Sequence, residues 1–158
     1  MRRLLRRTVV ILCLGLVAIQ FFRPAKNLSP EPAMPPEDIR ALQPIPEAVR
    51  TRLEVGCYDC HSNNTRYPWY SEIQPVAWWL DMHVRDGKRE LNFSSFGRYP
   101  LKRQVDKLDS VIDELNNRTM PLPSYTWTHR DASFTDAERE EIVAWAEALR
   151  DKLAEQLE

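Results

Sequence analysis

Cysteine and histidine are scarce in this sequence, which has three of each among its 158 residues. One CxxC pair is present, but there is no second CxxC and no His pair, so the four ligands of a structural zinc site are lacking. No segment alternates apolar and polar residues for long enough to predict a strand. This argues against a thioredoxin-type dithiol, because that motif belongs to a βαβ context.

Positive charge is scarce outside the N-terminus. The first 26 residues carry six bases and no acid, which leaves the rest of the chain with a formal charge of −7. A nucleic-acid-binding domain needs a basic face, so we expect no nucleic-acid partner.

Residues 1–26 have the pattern of a membrane anchor or a signal peptide. The basic sequence "MRRLLRR" precedes an uncharged run from Thr8 to Phe22. A membrane span needs about 20 apolar residues, and Leu4 and Leu5 lengthen the run towards that value. No convincing cleavage site follows, so we expect an uncleaved transmembrane anchor, with a cleaved signal as the alternative. The positive-inside rule then places the rest of the chain in the periplasm.

The remainder divides into a proline-rich stalk at 27–43 and a small all-α domain at 44–158. Four helical segments are predicted: "PEAVRTRLEVG", "SEIQPVAWWLDMHVRDG", "RQVDKLDSVIDELNN" and a C-terminal helix that opens with a capping box of Thr135 and Glu138. The second segment is expected to begin with Ser71 as N-cap and to stop at Gly87. A loop rich in proline and aromatic residues lies between the last two helices.

Cys57, Cys60 and His61 form the motif CxxCH. In a helical turn, positions i, i+3 and i+4 share a face, so the two thiols and the imidazole would face one object. The pattern is typical of a c-type haem, which the cysteines hold as thioethers while the histidine binds the iron as proximal ligand. A structural disulfide is a weaker interpretation, because so small a loop stabilises little. The predicted cofactor is one covalent haem c.

Three blocks in order strengthen this interpretation: "CYDCHSNNTRYPWY", "PVAWWLDMHVRDGKRELNFSSF" and "MPLPSYTWTHRDASFTDAERE". Together they resemble the bacterial haem-binding domain family related to cytochrome c, over roughly 44–149. The resemblance implies a small cytochrome c-like helical domain with one covalent haem, and in a bacterium the membrane would be the inner one. It leaves the physiological role open.

The predicted sixth iron ligand is Met120, which precedes a proline in the loop before the C-terminal helix, as distal methionines of cytochromes c commonly do. Met/His ligation raises the reduction potential and suits electron transfer. His83 is the alternative, either as distal ligand or as a propionate donor. His129 is expected to be solvated.

Other residues are candidates for the haem surroundings. The Pro68 carbonyl could accept the His61 Nδ1–H. Aromatic side chains would wall the ring, and polar ones after the motif would bind the propionates: Trp69, Trp79, Tyr125 and Trp127 for the walls, and Asn63, Asn64, Arg66 and Tyr67 for the propionates.

The predicted function is a membrane-tethered, periplasm-facing c-type cytochrome that passes electrons between redox partner proteins and is not itself an enzyme. The alternative is a haem-based peroxidase or ligand sensor with an open or labile distal site, although no distal His–Arg pair is recognisable. A third possibility is an interaction module that haem merely stabilises.

Overall fold

The structure is a computed structural model that describes residues 1–30 and 34–158. Those residues contain no strand apart from an isolated bridge between Leu28 and Asn64, so the predicted all-α class is confirmed. The helices are α1 (Arg2–Ile19), α2 (Ile39–Leu42), α3 (Glu47–Gly56), α4 (Tyr58–His61), α5 (Val76–Glu90), α6 (Leu101–Asn116), α7 (Pro123–Thr126) and α8 (Asp136–Ala154). Short 3-10 turns lie at Trp69–Glu72, Phe93–Arg98, Arg130–Ala132 and Glu155–Leu157.

The core lies between α3, α6 and α8, and α8 contacts both of the other two helices through its apolar face. Leu53, Leu108 and Ile142 come from these three helices, and each is at most 1% exposed. Helix α8 begins with the predicted capping box, in which the Thr135 hydroxyl accepts the Glu138 N–H and the Glu138 carboxylate accepts the Thr135 N–H. The apolar residues of α6 and α8 recur at helical spacing, and the faces that they form are the ones that the core buries.

Helix α5 differs from its predicted bounds at both ends. It begins at Val76 rather than at Ser71, whose hydroxyl and N–H both donate to the Pro68 carbonyl in a 3-10 turn. At the other end it runs through Gly87 to Glu90. A Cβ at Gly87 would lie 2.6 Å from the Cys60 carbonyl oxygen, so this glycine allows α5 to approach α4 rather than ending the helix.

Part of the predicted stalk packs against the domain. Asp38 and Ile39 are both completely buried. Arg40 donates to both Asp38 carboxylate oxygens at 2.9 Å, and the Tyr58 hydroxyl donates to one of them at 3.0 Å. A buried charge needs such partners, and they connect this segment to the start of α4. Residues 31–33 lie outside the described residues.

The N-terminal helix α1 does not support the predicted transmembrane anchor. No helix in the described part of the chain is long and apolar enough to cross a membrane. Four arginines occupy the first two turns of α1, and the helix ends at Ile19, so its apolar part falls short of the roughly 20 residues that a span needs. Beyond α1, Arg23 and Lys26 form ion pairs with Glu72 of the domain.

Candidate functional site

The CxxCH motif forms a single tight helical turn at the corner between α3 and α4. The Cys60 and His61 N–H groups donate to the Cys57 carbonyl at 3.2 and 2.9 Å. A Cβ at Gly56 would lie 2.3 Å from the tip of the Phe134 ring, so the corner rests directly on that buried side chain. Gly56 is needed here because no larger residue fits between the corner and the segment that precedes α8.

A cavity of about 460 Å³ lies beside α4. It is within the size range of cofactor pockets, roughly 300–1,000 Å³, and its lining is almost entirely apolar. One wall consists of Asp59 and Cys60 of α4 with the 76–84 part of α5, and a second wall consists of residues from Leu122 to His129. The loop residues 65–68 and Tyr70 complete it.

About half of the haem-binding residues predicted from the sequence line the cavity. Those that line it are Cys60, Arg66, Tyr67, Trp79, His83, Tyr125 and Trp127. Those that are not among its lining residues are Cys57, His61, Asn63, Asn64, Trp69 and Met120.

Cys57 and His61 contact the interior of the domain rather than lining the cavity. Cys57 packs against the hydrophobic core, and the His61 ring meets the buried Phe93 edge-on at 6.3 Å between centroids. The His61 Nδ1 lies 3.0 Å from the Leu91 carbonyl oxygen. Because a carbonyl only accepts, Nδ1 carries the hydrogen and Nε2 keeps its lone pair, which is the tautomer that binds a metal through Nε2.

The partner of His61 differs from the predicted one. Pro68 O instead accepts from Ser71, and Leu91, directly after the end of α5, takes the predicted place beside the imidazole. Burial lowers the pKa of His61, although the carbonyls of Leu91 and Gly87 favour the protonated ring. The imidazole is therefore neutral at pH 7, as a metal ligand must be.

The two motif thiols are protonated at neutral pH. Burial, with the neighbouring Cys60 thiol, raises the pKa of Cys57 to about 12. Burial and the Asp59 charge raise the pKa of Cys60 to about 11. A dithiol that exchanges disulfides needs a thiolate with a lowered pKa, so this environment does not suit thioredoxin-type chemistry.

Asp59 is a buried carboxylate at the edge of the cavity, with two partners of different kinds. The Arg66 backbone N–H and Nε donate to it at 3.0 and 3.1 Å, and the Tyr125 hydroxyl donates to it at 2.7 Å. The same hydroxyl lies 2.9 Å from the Val55 carbonyl oxygen. Burial and the Asp59 charge raise the pKa of Tyr125, which therefore keeps its proton and joins the second wall to α4.

The two asparagines predicted to bind propionates hold neighbouring segments of the protein. The Asn63 side-chain oxygen accepts from Asn92 at 2.8 Å, and the Asn64 side-chain oxygen accepts the Ser29 N–H at 2.9 Å. Arg66 does line the cavity, but its guanidinium is engaged by Asp59.

Trp69 and Met120 lie outside the cavity lining. Trp69 is 78% exposed and meets only the edge of Tyr70 among described ring contacts. Met120 is half-buried, and its carbonyl accepts from Arg139 of α8 at 2.8 Å. The prediction that Met120 and His61 face each other across a slot stays a prediction.

The expectation that His129 is solvated needs correction, because this residue is half-buried and lines the cavity. It stacks on Tyr125 with ring centroids 4.1 Å apart and planes 9° apart, and its Nδ1 lies 3.1 Å from the Tyr125 carbonyl oxygen. His83 has the same backbone contact, with Nδ1 2.8 Å from the Trp79 carbonyl oxygen, but its ring is tilted by 53° to that of Trp79, with centroids 4.3 Å apart, rather than stacked on it. In both segments a histidine follows an aromatic residue by four positions. This spacing is the sequence feature from which the contact between the two rings could have been predicted.

Comparison with known proteins agrees with these observations. A search of curated proteins finds no match, and a search of solved structures finds none. A family model described as "Haem-binding domain" matches residues 14–148. The matched region contains the CxxCH turn, every residue that lines the cavity, and the last third of α1. Because the match extends over most of the sequence, the chain belongs to the haem-binding domain family.

Proposed function

We propose that the domain binds one haem covalently through Cys57 and Cys60, with His61 as the proximal iron ligand, and that it carries electrons. The observation that supports this most directly is Cys60 of the CxxCH turn in the wall of an apolar, aromatic cavity of about 460 Å³. Aromatic walls suit a large flat apolar ring and exclude water from it.

The state of the motif residues is compatible with this chemistry. Each protonated thiol has the hydrogen that addition to a vinyl group would consume. The S–H bond and the π bond of the vinyl group would be replaced by one S–C bond and one C–H bond, so no oxidant is needed. His61 is neutral, with its Nε2 lone pair free of the Leu91 hydrogen bond. Cys57 and His61 do not line the cavity, so both would have to reach the haem from their present contacts with the interior of the domain.

The electron-carrier role is supported by one tryptophan on each wall of the cavity. A bound haem iron supplies one-electron oxidation and reduction. Trp79 and Trp127 both line the cavity and are 41% and 75% exposed, so one edge of the bound group would lie close to the surface, where a partner protein could exchange electrons with it. Arg66 is paired with Asp59 through Nε and Nη2.

We propose the periplasm as the location and redox proteins as the partners. The support is the basic and then uncharged N-terminal sequence and the acidic remainder of the chain, which favours a partner with a basic docking surface. Fractionation of the native cells tests the location. We expect that protease added to spheroplasts digests the haem-stained protein. Complete protection of this protein in intact spheroplasts would overturn the periplasmic location.

Haem staining after denaturing electrophoresis tests the covalent attachment. The full chain is produced in a host that attaches haem c, beside the double variant Cys57→Ala/Cys60→Ala. Cys13→Ala is the matched control, because Cys13 lies in α1 outside the motif. The wild type and the control should stain and the double variant should not. An unstained wild type would overturn the proposal.

Optical spectra and peroxide turnover test the electron-carrier role. A low-spin spectrum that is reduced and reoxidised reversibly, with no peroxide turnover, is the expected result. A high-spin resting spectrum with peroxide turnover or strong ligand binding would favour the peroxidase or the sensor.

A further inference from the structure

Asp59 is a buried acid inside the CxxCH motif itself. It follows Cys57 by two positions and directly precedes Cys60. The residue is only 6% exposed, and it lines the cavity together with Cys60. A haem bound to both sulfurs would therefore lie next to the Asp59 carboxylate, whichever face of the ring His61 binds.

The charges on the cavity wall are unequally exposed to water. Among the lining residues that the structure describes, Asp59 is the one carboxylic acid and Arg66 the one guanidinium. They form an ion pair, with the Arg66 Nε 3.1 Å from the Asp59 Oδ1. The Asp59 side chain is 8% exposed, whereas that of Arg66 is 62% exposed. Water and salt screen an exposed charge far more than a buried one, so the negative charge of the pair dominates inside the cavity.

The position of the carboxylate is fixed by bonds from two directions. The Arg66 backbone N–H donates to Oδ1 at 3.0 Å, and the Tyr125 hydroxyl of the second wall donates to Oδ2 at 2.7 Å. The Thr65 hydroxyl donates to the Asp59 carbonyl at 2.6 Å and so holds the backbone of the same residue. The negative charge is thus held at one place beside the attachment position Cys60.

We propose that the Asp59 carboxylate lowers the reduction potential of the bound haem. The inference rests on the proposed haem c function. Reduction adds one electron to the iron, and a buried negative charge nearby makes that addition less favourable. Asp59 would therefore favour the ferric state and restrict the electron donors of this protein to stronger reductants.

The test is an optical redox titration of the haem-loaded full chain. Asp59→Asn removes the charge with little change in size, so the potential should rise while the visible spectrum keeps its wild-type bands. Asp59→Glu keeps the charge, so its potential should stay closer to that of the wild type. Asp106→Asn is the matched control, because Asp106 pairs with Lys102 on α6, is 56% exposed and does not line the cavity. Its potential should equal that of the wild type.

An Asp59→Asn potential equal to or below that of the wild type would overturn the inference. A rise that Asp59→Glu shares in full, or one accompanied by the spectrum of a changed iron ligand, would also overturn it, because the cause would then be geometry rather than charge. If Asp59→Asn does not accumulate, Arg66→Gln decides the question.

Arg66→Gln withdraws the cation from the same carboxylate, so the potential should fall; an unchanged or higher potential would overturn the inference. Haem staining of each gel confirms attachment independently. If the wild type itself does not stain for haem, the proposed function fails instead, so the two failures are distinguishable.

Discussion

Gly87 is the residue whose replacement tests the geometry of the site most simply, because α5 and α4 meet at it. A Cβ there would lie 2.6 Å from the Cys60 carbonyl oxygen and 3.0 Å from its Cβ. The shorter distance is about 0.8 Å below the 3.4 Å at which ordinary contacts begin. The obstructing atoms are backbone or adjoin it, so Gly87→Ala must separate the two helices rather than rotate a side chain.

Two opposing effects set the change in the free energy of unfolding that Gly87→Ala causes. Inserting a methyl group into a tight contact costs about 1–3 kcal/mol. Replacing a glycine inside a helix by alanine stabilises the folded protein by about 1 kcal/mol, because alanine has the higher helix propensity. With about 2 kcal/mol for the contact, the net expectation is a loss of about 1 kcal/mol in the free energy of unfolding. For a urea m-value of about 2 kcal/mol/M, the unfolding midpoint falls by about 0.5 M.

The assay measures urea unfolding of the apo protein and the haem attached per polypeptide in a maturation-competent host. Gly15→Ala is the matched control, since Gly15 also lies in a helix but its Cβ position has no heavy atom within 4 Å. The control should lose neither stability nor haem. Gly87→Ala should lose both, because Cys60 moves with α4. An unfolding midpoint equal to or above that of the wild type, with full haem attachment, would refute the close approach.

Two further predictions concern contacts outside the cavity. Asn27→Ala removes the hydrogen bonds from the side-chain nitrogen to the Ser62 carbonyl and the Thr65 hydroxyl, both 2.9 Å long. The free energy of unfolding, measured in urea, should fall by about 2 kcal/mol. A fall of less than about 0.5 kcal/mol would show that these bonds do not hold the N-terminal segment. The Thr135 N–H and hydroxyl lower the pKa of Glu138 below 4.5, so its contribution to stability is present above that pH and is lost as the pH falls through the lowered value. Glu138→Gln should therefore be less stable than the wild type at pH 6, and the difference should narrow below pH 4.5; a difference that is the same at every pH would contradict this.

The parts of the fold that follow from local sequence were predictable. The capping box of Thr135 and Glu138 marks the start of α8, and the apolar spacing of α6 and α8 gives the faces that are buried. The CxxCH turn also depends only on neighbouring residues, as the bonds to the Cys57 carbonyl indicate. These features need no knowledge of the tertiary structure.

The features that the sequence did not predict depend on contacts between distant residues. Gly87 stands inside a helix because Cys60, 27 positions earlier, leaves no room for a Cβ, and nothing local distinguishes this glycine from a helix stop. The proline-rich segment packs on the domain because Asp38 finds Arg40 and Tyr58 as partners. His61 is oriented by Leu91, 30 residues further along the chain.

The most direct test of the account is the mass of one proteolytic peptide. Trypsin cleaves after Arg52 and Arg66, so peptide 53–66 contains both motif cysteines and His61 but not Cys13. After extraction of all unbound haem with acidified organic solvent, this peptide should carry the mass of one haem and absorb visible light. Recovery of peptide 53–66 with two free thiols, and of all the haem in the extract, would contradict the covalent attachment on which the proposed function depends.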